Sequence, residues 1–398
     1  MGDPDVKRRS LEEATHRLRE KGAAIPLPDT ILLESDVRIE RIAGEGMVLH
    51  PGCRIRGERT LILEGAKLGA EGPVTVENCY IGPGVELKGG YFRDAVFLEG
   101  ASCGSGSHVR EGTILEERAS IAHTVGLKQT ILFPFVTLGS LINFCDCLMA
   151  GGTGPENHSE VGSSYIHFNF TPRQDKATPS LIGDVPRGVM LKQKPIFLGG
   201  QGGIVGPLRL NFGITVAAGT ILRKDELRSD RMIFGGSARE GNVSARGLRL
   251  GGTARTIENN VVYLANLAAL RRWYLDARAL FVGERFPAEL HAGLVQTLDR
   301  AIAERLKRLN QFFEIMEKRD VLERWPEFAD TYRKRLEQAG DAAKRDSFLE
   351  VLAAKAREEG KRYLNVIRSL SKEEAAAGTA WLQGLVEETT DALKRIVS

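Results

Sequence analysis

Leu198, Ile204, Leu210, Val216 and Leu222 follow one another at intervals of six residues. A looser form of the same beat runs upstream through Ile55, Leu61, Leu68, Val74, Ile81 and Leu87. Few architectures accept so short a period. An amphipathic helix repeats its apolar face every 3.6 residues, and antiparallel strands joined by hairpins recur at about 8–12. A six-residue beat with small residues between the aliphatic ones fits a parallel β-solenoid. Each aliphatic side chain points into the coil and stacks on its counterparts in neighbouring coils, and glycine or another small residue lets the backbone turn a corner. IGPGVE (81–86), IVGPLR (204–209) and VAAGTI (216–221) share this form. Three such sides close a triangular coil of roughly eighteen residues, so the stretch has room for on the order of ten coils. A β-sandwich with frequent Gly/Pro turns is the alternative, but its strand spacing is too long for the beat.

Glycine marks where the beat ends. Of 44 glycines, 38 lie in residues 1–254 and six beyond; the prolines divide thirteen and two. Three parts follow: a capping helix in 1–29, the solenoid in 30–254 and an α-helical part in 255–398. In the first, Ser10 with Glu13 reads as a capping box, Leu11, Ala14 and Leu18 as one apolar face, and Gly22 as the stop. In the last, Ile302, Leu306, Leu309, Phe313 and Met316 form a heptad-like seam, and Ser371 with Glu374 is a second capping box. Four or five helices are expected, as a bundle or against the solenoid end. The beat lapses twice, at 101–112, read as a corner loop, and at 150–180, read as one long polar insertion. A solenoid usually admits such an insertion on its binding face.

Composition excludes several classes. Net charge is +3, from 55 Lys+Arg against 52 Asp+Glu, which gives no case for nucleic acid or an anionic membrane surface. No apolar run is long enough to span a bilayer, and MGDPDVKRRSLEEA resembles neither a secretory signal nor a myristoylation site. Five cysteines are too few for a disulfide scaffold. The expectation is a cytoplasmic protein. Cys145-x-Cys147 lacks a second pair at zinc spacing, so no metal site is expected.

Within 161–225, six pieces stand in order: VGSS (161–164), Asn169-Phe170, Asp175-Lys176, IGD (182–184), VAAGT (216–220) and Arg223-Lys224-Asp225. This series resembles the acetyltransferase half of the bifunctional UDP-N-acetylglucosamine pyrophosphorylase/glucosamine-1-phosphate N-acetyltransferase family. The resemblance implies a left-handed parallel β-helix, a homotrimer with active sites between subunits, and acyl transfer from acyl-CoA to a sugar amine. It departs from the family at three positions: Ser140 stands where the family carries its general-base His, Phe170 where it has Tyr, and Glu160 where an Asn opens the Gly-small coil. The pyrophosphorylase half has no counterpart. LGGQGG (198–203) looks like a phosphate-binding glycine loop, but the beat continues after it with no helix opening.

The 150–180 stretch holds His158 and His167, two of seven histidines. His167 and Asn169, two apart, share one side of an extended segment, with Phe168 and Phe170 on the other. Either His is a candidate for the base role vacated at Ser140, since imidazole titrates near neutral pH. The expected catalytic set is His158, His167 and Asn169. Arg173 and Lys176 are expected to bind substrate phosphate. Lys192, Lys194, Ala217, Ala218 and Arg223 are expected to hold acyl-CoA. The leading expectation is therefore a hexapeptide-repeat acyltransferase of nucleotide-sugar metabolism. The alternatives are a non-catalytic nucleotide-sugar-binding or scaffold solenoid, and a sugar-1-phosphate nucleotidyltransferase, against which the missing half argues.

Overall fold

The structure is a computed structural model that describes residues 13–168, 176–235 and 253–397. Successive strands fall in turn on three parallel sheets of ten, eight and ten strands, the three faces of a triangular left-handed β-helix. Face one begins at Leu32–Leu33 and Arg54–Arg56 and ends at Ile221–Leu222. Face two runs from Leu61–Ile62 to Arg209–Leu210. Face three runs from Val48–Leu49 to Met232–Ile233.

The six-residue beat is the inward column of this coil. On face one Ile55, Val76, Phe92, Val109 and Leu127 stack in register, each fully buried. On face three Leu68, Leu87, Cys103, Ile121 and Leu138 do the same. One member of the upstream series is misplaced by one residue. Ile62, not Leu61, pairs with the inward Ile81, and Leu61 faces outward beside Tyr80. The expected loop at 101–112 is regular coil, with strands at Ser102–Cys103 and Ser107–Val109. Nor is 150–180 a single insertion. A hairpin of Gly152–Gly154 with Asn157–His158 leaves one corner, and the coil resumes through Glu160–Val161 and Ile166–Phe168 before Ser180–Ile182.

Helix α1 (13–20) caps the first coil. Its Leu18 is buried, and just beyond it Ala24 pairs with Val48 of face three. A short helix α2 (Val185–Gly188) leaves the coil between faces two and three; Asp184 caps it by accepting from Arg187 N–H. Among the described residues seven further helices follow: α3 (Thr253–Arg272), α4 (Ala288–Ile315), α5 (Arg319–Glu323), α6 (Trp325–Glu337), α7 (Ala342–Glu358), α8 (Tyr363–Ser369) and α9 (Lys372–Val397). This exceeds the four or five expected, because short connectors split the pattern. The capping box at the start of α9 is reciprocal: Ser371 N–H donates to Glu374 Oε2 at 2.6 Å and Glu374 N–H to Ser371 Oγ at 3.1 Å. The α4 seam is core, with Ile302, Leu309 and Phe313 buried.

The helices do not cap the end of the solenoid. They lie along face two. Its outward positions Tyr80, Val96, Ile114, Ile131, Leu148 and Leu181 are apolar or aromatic and no more than 5% exposed. Burial of such side chains contributes about 1.5–3 kcal/mol each. α4 meets this stripe closely enough that a Cβ on Gly293 would fall 2.3 Å from the Tyr80 ring. Three buried asparagines of α3 satisfy solenoid backbone: Asn259 donates to Pro207 O, Asn260 to Ala177 O, and Asn266 Oδ1 accepts from Val185 N–H. Among the described residues, no helix covers faces one and three or the corner between them.

Candidate active site

The open corner, where the chain passes from face three to face one, is built from small residues. Its successive turns are Gly104-Ser105-Gly106, Ala122-His123-Thr124, Gly139-Ser140-Leu141, Gly162-Ser163-Ser164, Gly199-Gly200-Gln201 and Ala217-Ala218-Gly219. The reason is close coil-to-coil approach. A Cβ on Gly162 would lie 2.4 Å from Gly200 N, and one on Gly199 2.4 Å from Ala218 N. LGGQGG is therefore a solenoid corner between Phe197–Leu198 and Gly203–Val205, with no helix after it.

Two imidazoles stand along this corner, His50 near its start and His123 midway. His123 Nδ1 lies 2.9 Å from Ser140 Oγ, and both are solvent-accessible. Ser140 N–H donates in turn to Ser163 Oγ at 3.1 Å. His123 thus reaches Ser140 from the preceding coil. If Nδ1–H donates to Ser140, Nε2 keeps its lone pair for a proton, the arrangement of a general base oriented by a neighbour. Among the described residues the N–H groups of Ser163, Gly200 and Ala218 make no hydrogen bond, so this corner offers backbone donors in sequence along the coils.

Sequence reasoning passed over His123 because it stands alone in the linear order. Its distance from Ser140 is one coil, and a coil's length is the separation that brings two solenoid residues together.

The expected site residues are spread around the coil. His167 is on the inward side, in register between Phe144 and Ile204, only 7% exposed. Its ring meets Phe144 edge-on, with centroids 6.4 Å apart, and its Nε2 lies 2.8 Å from Ser180 Oγ. Burial, with Arg305 nearby, pushes it down to about 3. His167 is therefore a packed core histidine that burial keeps neutral at pH 7, a placement that speaks against the base role expected for it. His158 sits in the hairpin on the corner between faces two and three, its Nδ1 donating to Pro155 O at 2.7 Å. Lys192 shares that side, donating to Arg368 O, and Lys194 pairs with Asp230. Ala217 and Ala218 lie on the open corner with His123. Arg223 follows face one and contacts its own Ile221 O, and Lys176 is exposed before face two. Asn169, Phe170 and Arg173 lie outside the described residues. No pair among His158, Ala218 and Arg223 shares a corner, and a six-residue side spans up to about 20 Å.

The cysteines offer no nucleophile. All five are free and four are buried; burial pushes the half-buried Cys145 thiol up to about 11, far from a thiolate at neutral pH. Among the described residues no group of three or more His, Cys, Asp or Glu is placed to hold a metal ion. Among the same residues no helix is long and apolar enough to cross a membrane.

A parallel β-helix with hexapeptide periodicity and a small-residue corner defines the class of hexapeptide-repeat solenoids. Within it, the chain is similar to bifunctional protein GlmU of Trichlorobacter lovleyi, 26% identical over 205 residues, 51% of this chain and 39% of that protein. It is 25% identical over 224 residues to bifunctional protein GlmU of Thermotoga petrophila, covering 56% and 44%. To that of Thermus thermophilus it is 27% identical over 191 residues, 48% and 37%. The resemblance carried by the 161–225 motif series is thus matched by similarity over about half of the chain to the same kind of protein. The chain spans about two-fifths of the length of these curated relatives. No family model matches it.

Proposed function

We propose that this chain is an acyltransferase of nucleotide-sugar metabolism, moving an acyl group from acyl-CoA to the amine of an amino sugar or its nucleotide form, with His123 as base. The observation that carries this reading is the 2.9 Å contact of His123 Nδ1 with Ser140 Oγ on the open corner. In the step, the sugar amine attacks the thioester carbonyl carbon and a C–N bond forms. His123 Nε2 takes the amine proton, and the corner N–H groups of Ser163 and Gly200 steady the oxyanion. Collapse breaks the C–S bond, and the thiolate leaves with the proton from the imidazolium. Ser140 orients the ring. The exposed Ala218 gives the pantetheine arm room against the backbone. His158, Lys192 and Lys194 leave the catalytic set, since they line a different corner. Homotrimeric assembly through the two uncovered faces accords with this reading.

The test is thiol release from acetyl-CoA in the presence of glucosamine 1-phosphate and of UDP-glucosamine. His123→Ala should lower kcat/KM about 10²–10⁴-fold, the usual contribution of a positioned base. His158→Ala should leave it within a few-fold. Full turnover in His123→Ala retires the base. Saturable binding without any thiol release points instead to the non-catalytic solenoid.

A further inference from the structure

At the corner between faces two and three, the helical domain leaves a cavity of about 530 Å³ against two solenoid turns. That volume is in the range of small-molecule sites. The solenoid contributes Glu99, Glu117 and Arg118. The connector between the 3₁₀ turn after α3 and the start of α4 contributes Arg285 and Phe286, the connector ahead of α8 contributes Lys361 and Arg362, and α8 itself contributes Tyr363.

The wall of the cavity is a built arginine. Arg278 is 1% exposed, with its guanidinium 3.6 Å from the Tyr363 ring centroid and 4.7 Å from that of Phe286. One nitrogen pairs with Glu117, but among the described residues its Nε and Nη1 have no hydrogen-bond partner, and neither does Glu117 Oε2. Buried donors of this kind are normally satisfied by protein, water or ligand. The lining carries five cations, Arg118, Arg278, Arg285, Lys361 and Arg362, against three carboxylates, Glu99, Glu117 and Glu284. Arg285 is taken up by Glu99 at 2.6 Å. Among the described residues, exposed Arg118 and Arg362 have no ion pair, so the positive surplus is at the mouth. A surplus of two cations matches a phosphate monoester, which carries about −1.5 to −2 at neutral pH. Buried Phe281 and Leu290 supply an apolar wall for the rest of such a molecule.

We infer that this cavity between the solenoid and the helical domain binds a phosphorylated small molecule, with Arg118 and Arg362 meeting the phosphate at the mouth and Arg278 fixing the wall. The site is separate from the open corner. Glu117 and His123 stand at opposite ends of the same face-three side, so ligand here is remote from the proposed acyl transfer.

Isothermal titration calorimetry with glucose 1-phosphate, inorganic phosphate and uncharged glucose tests it on the full chain. Glucose 1-phosphate should bind saturably and glucose should not; binding of inorganic phosphate alone would place recognition in the anion and not in the sugar. Arg118→Glu with Arg362→Glu, both at exposed positions, should weaken binding at least tenfold with the melting temperature of the free protein unchanged. Arg118→Gln, a milder change, should weaken it several-fold. His123→Ala should leave it unaltered, which separates this site from the open corner. Absence of saturable binding by either phosphate compound overturns the inference, as does equal affinity in the double variant, or loss of binding in His123→Ala.

Discussion

His167 shows what a solenoid does to a polar residue placed on the beat. Register with Phe144 and Ile204 turns its ring inward, and Ser180 Oγ supplies a polar contact that makes burial tolerable. The alternation of His167 and Asn169 with Phe168 and Phe170 fixes two sides of a strand but not which side meets water. Here the coil inverts the usual assignment, because the inward column is set by neighbouring rungs and not by the polarity of one strand. The buried ring has a measurable consequence. In the unfolded chain an imidazole takes its proton below about 6.5, whereas in the fold His167 does so only near 3. Its share of stability is therefore present above pH 6.5 and is lost as pH falls towards 3, at up to about 1.4 kcal/mol per pH unit. Glu116 acts in the opposite sense. Burial, and Glu117 beside it, raise its pKa, so its share grows as the pH drops through the range where the unfolded carboxyl still ionises. The total slope mixes the two, and the informative quantity is a difference. Between pH 6.5 and 5 the wild type should lose about 1–2 kcal/mol more in urea unfolding than His167→Phe. Equal slopes would show that the ring is not held neutral.

Among the elements, α4 has the clearest mechanical role. Its 28 residues make a rod of about 42 Å. Gly293 admits Tyr80, Arg300 reaches Asp94 at 3.2 Å, and Arg305 reaches Asp146 at 2.7 Å, three rungs further along. Arg305 is 3% exposed, so Arg305→Met leaves the mostly buried Asp146 carboxylate without its arginine. A loss of about 3–5 kcal/mol is expected, and Arg305→Met with Asp146→Asn should recover most of it. A double variant no more stable than the single one would mean that charge pairing is not what ties α4 down. The docking of this helix has a sequence signal of its own. Face-two strands carry apolar doublets, Ile114-Leu115, Ile131-Leu132, Leu148-Met149 and Leu181-Ile182, where face three has Lys67-Leu68, Glu86-Leu87 and Ser120-Ile121. The beat reports the inward member of each pair; the second apolar residue, once per coil, reports that something covers the outside. The α9 capping box is readable because it is local. The His123–Ser140 contact is readable only after the coil length is known, since no short-range pattern links residues a full turn apart.

At the scale of the whole molecule, the helical domain completes the solenoid by covering its one apolar exterior face. A truncation ending after residue 235 uncovers Tyr80, Val96, Ile114, Ile131, Leu148 and Leu181 together. An exposed apolar stripe of that extent is an aggregation surface. The truncated protein is expected to bind a hydrophobic dye strongly and to elute as aggregate in size-exclusion chromatography; a monodisperse, dye-silent product would show that face two is stable on its own. Stacked rungs that touch only their neighbours tend to peel from either end, one after another. A rigid strut clamped to rungs well apart removes that freedom, because no rung beneath it can leave until the strut lifts from all of them. Amide exchange should therefore slow in concert across the rungs under α4, while those near Met232–Ile233, past the strut's reach, open singly and early.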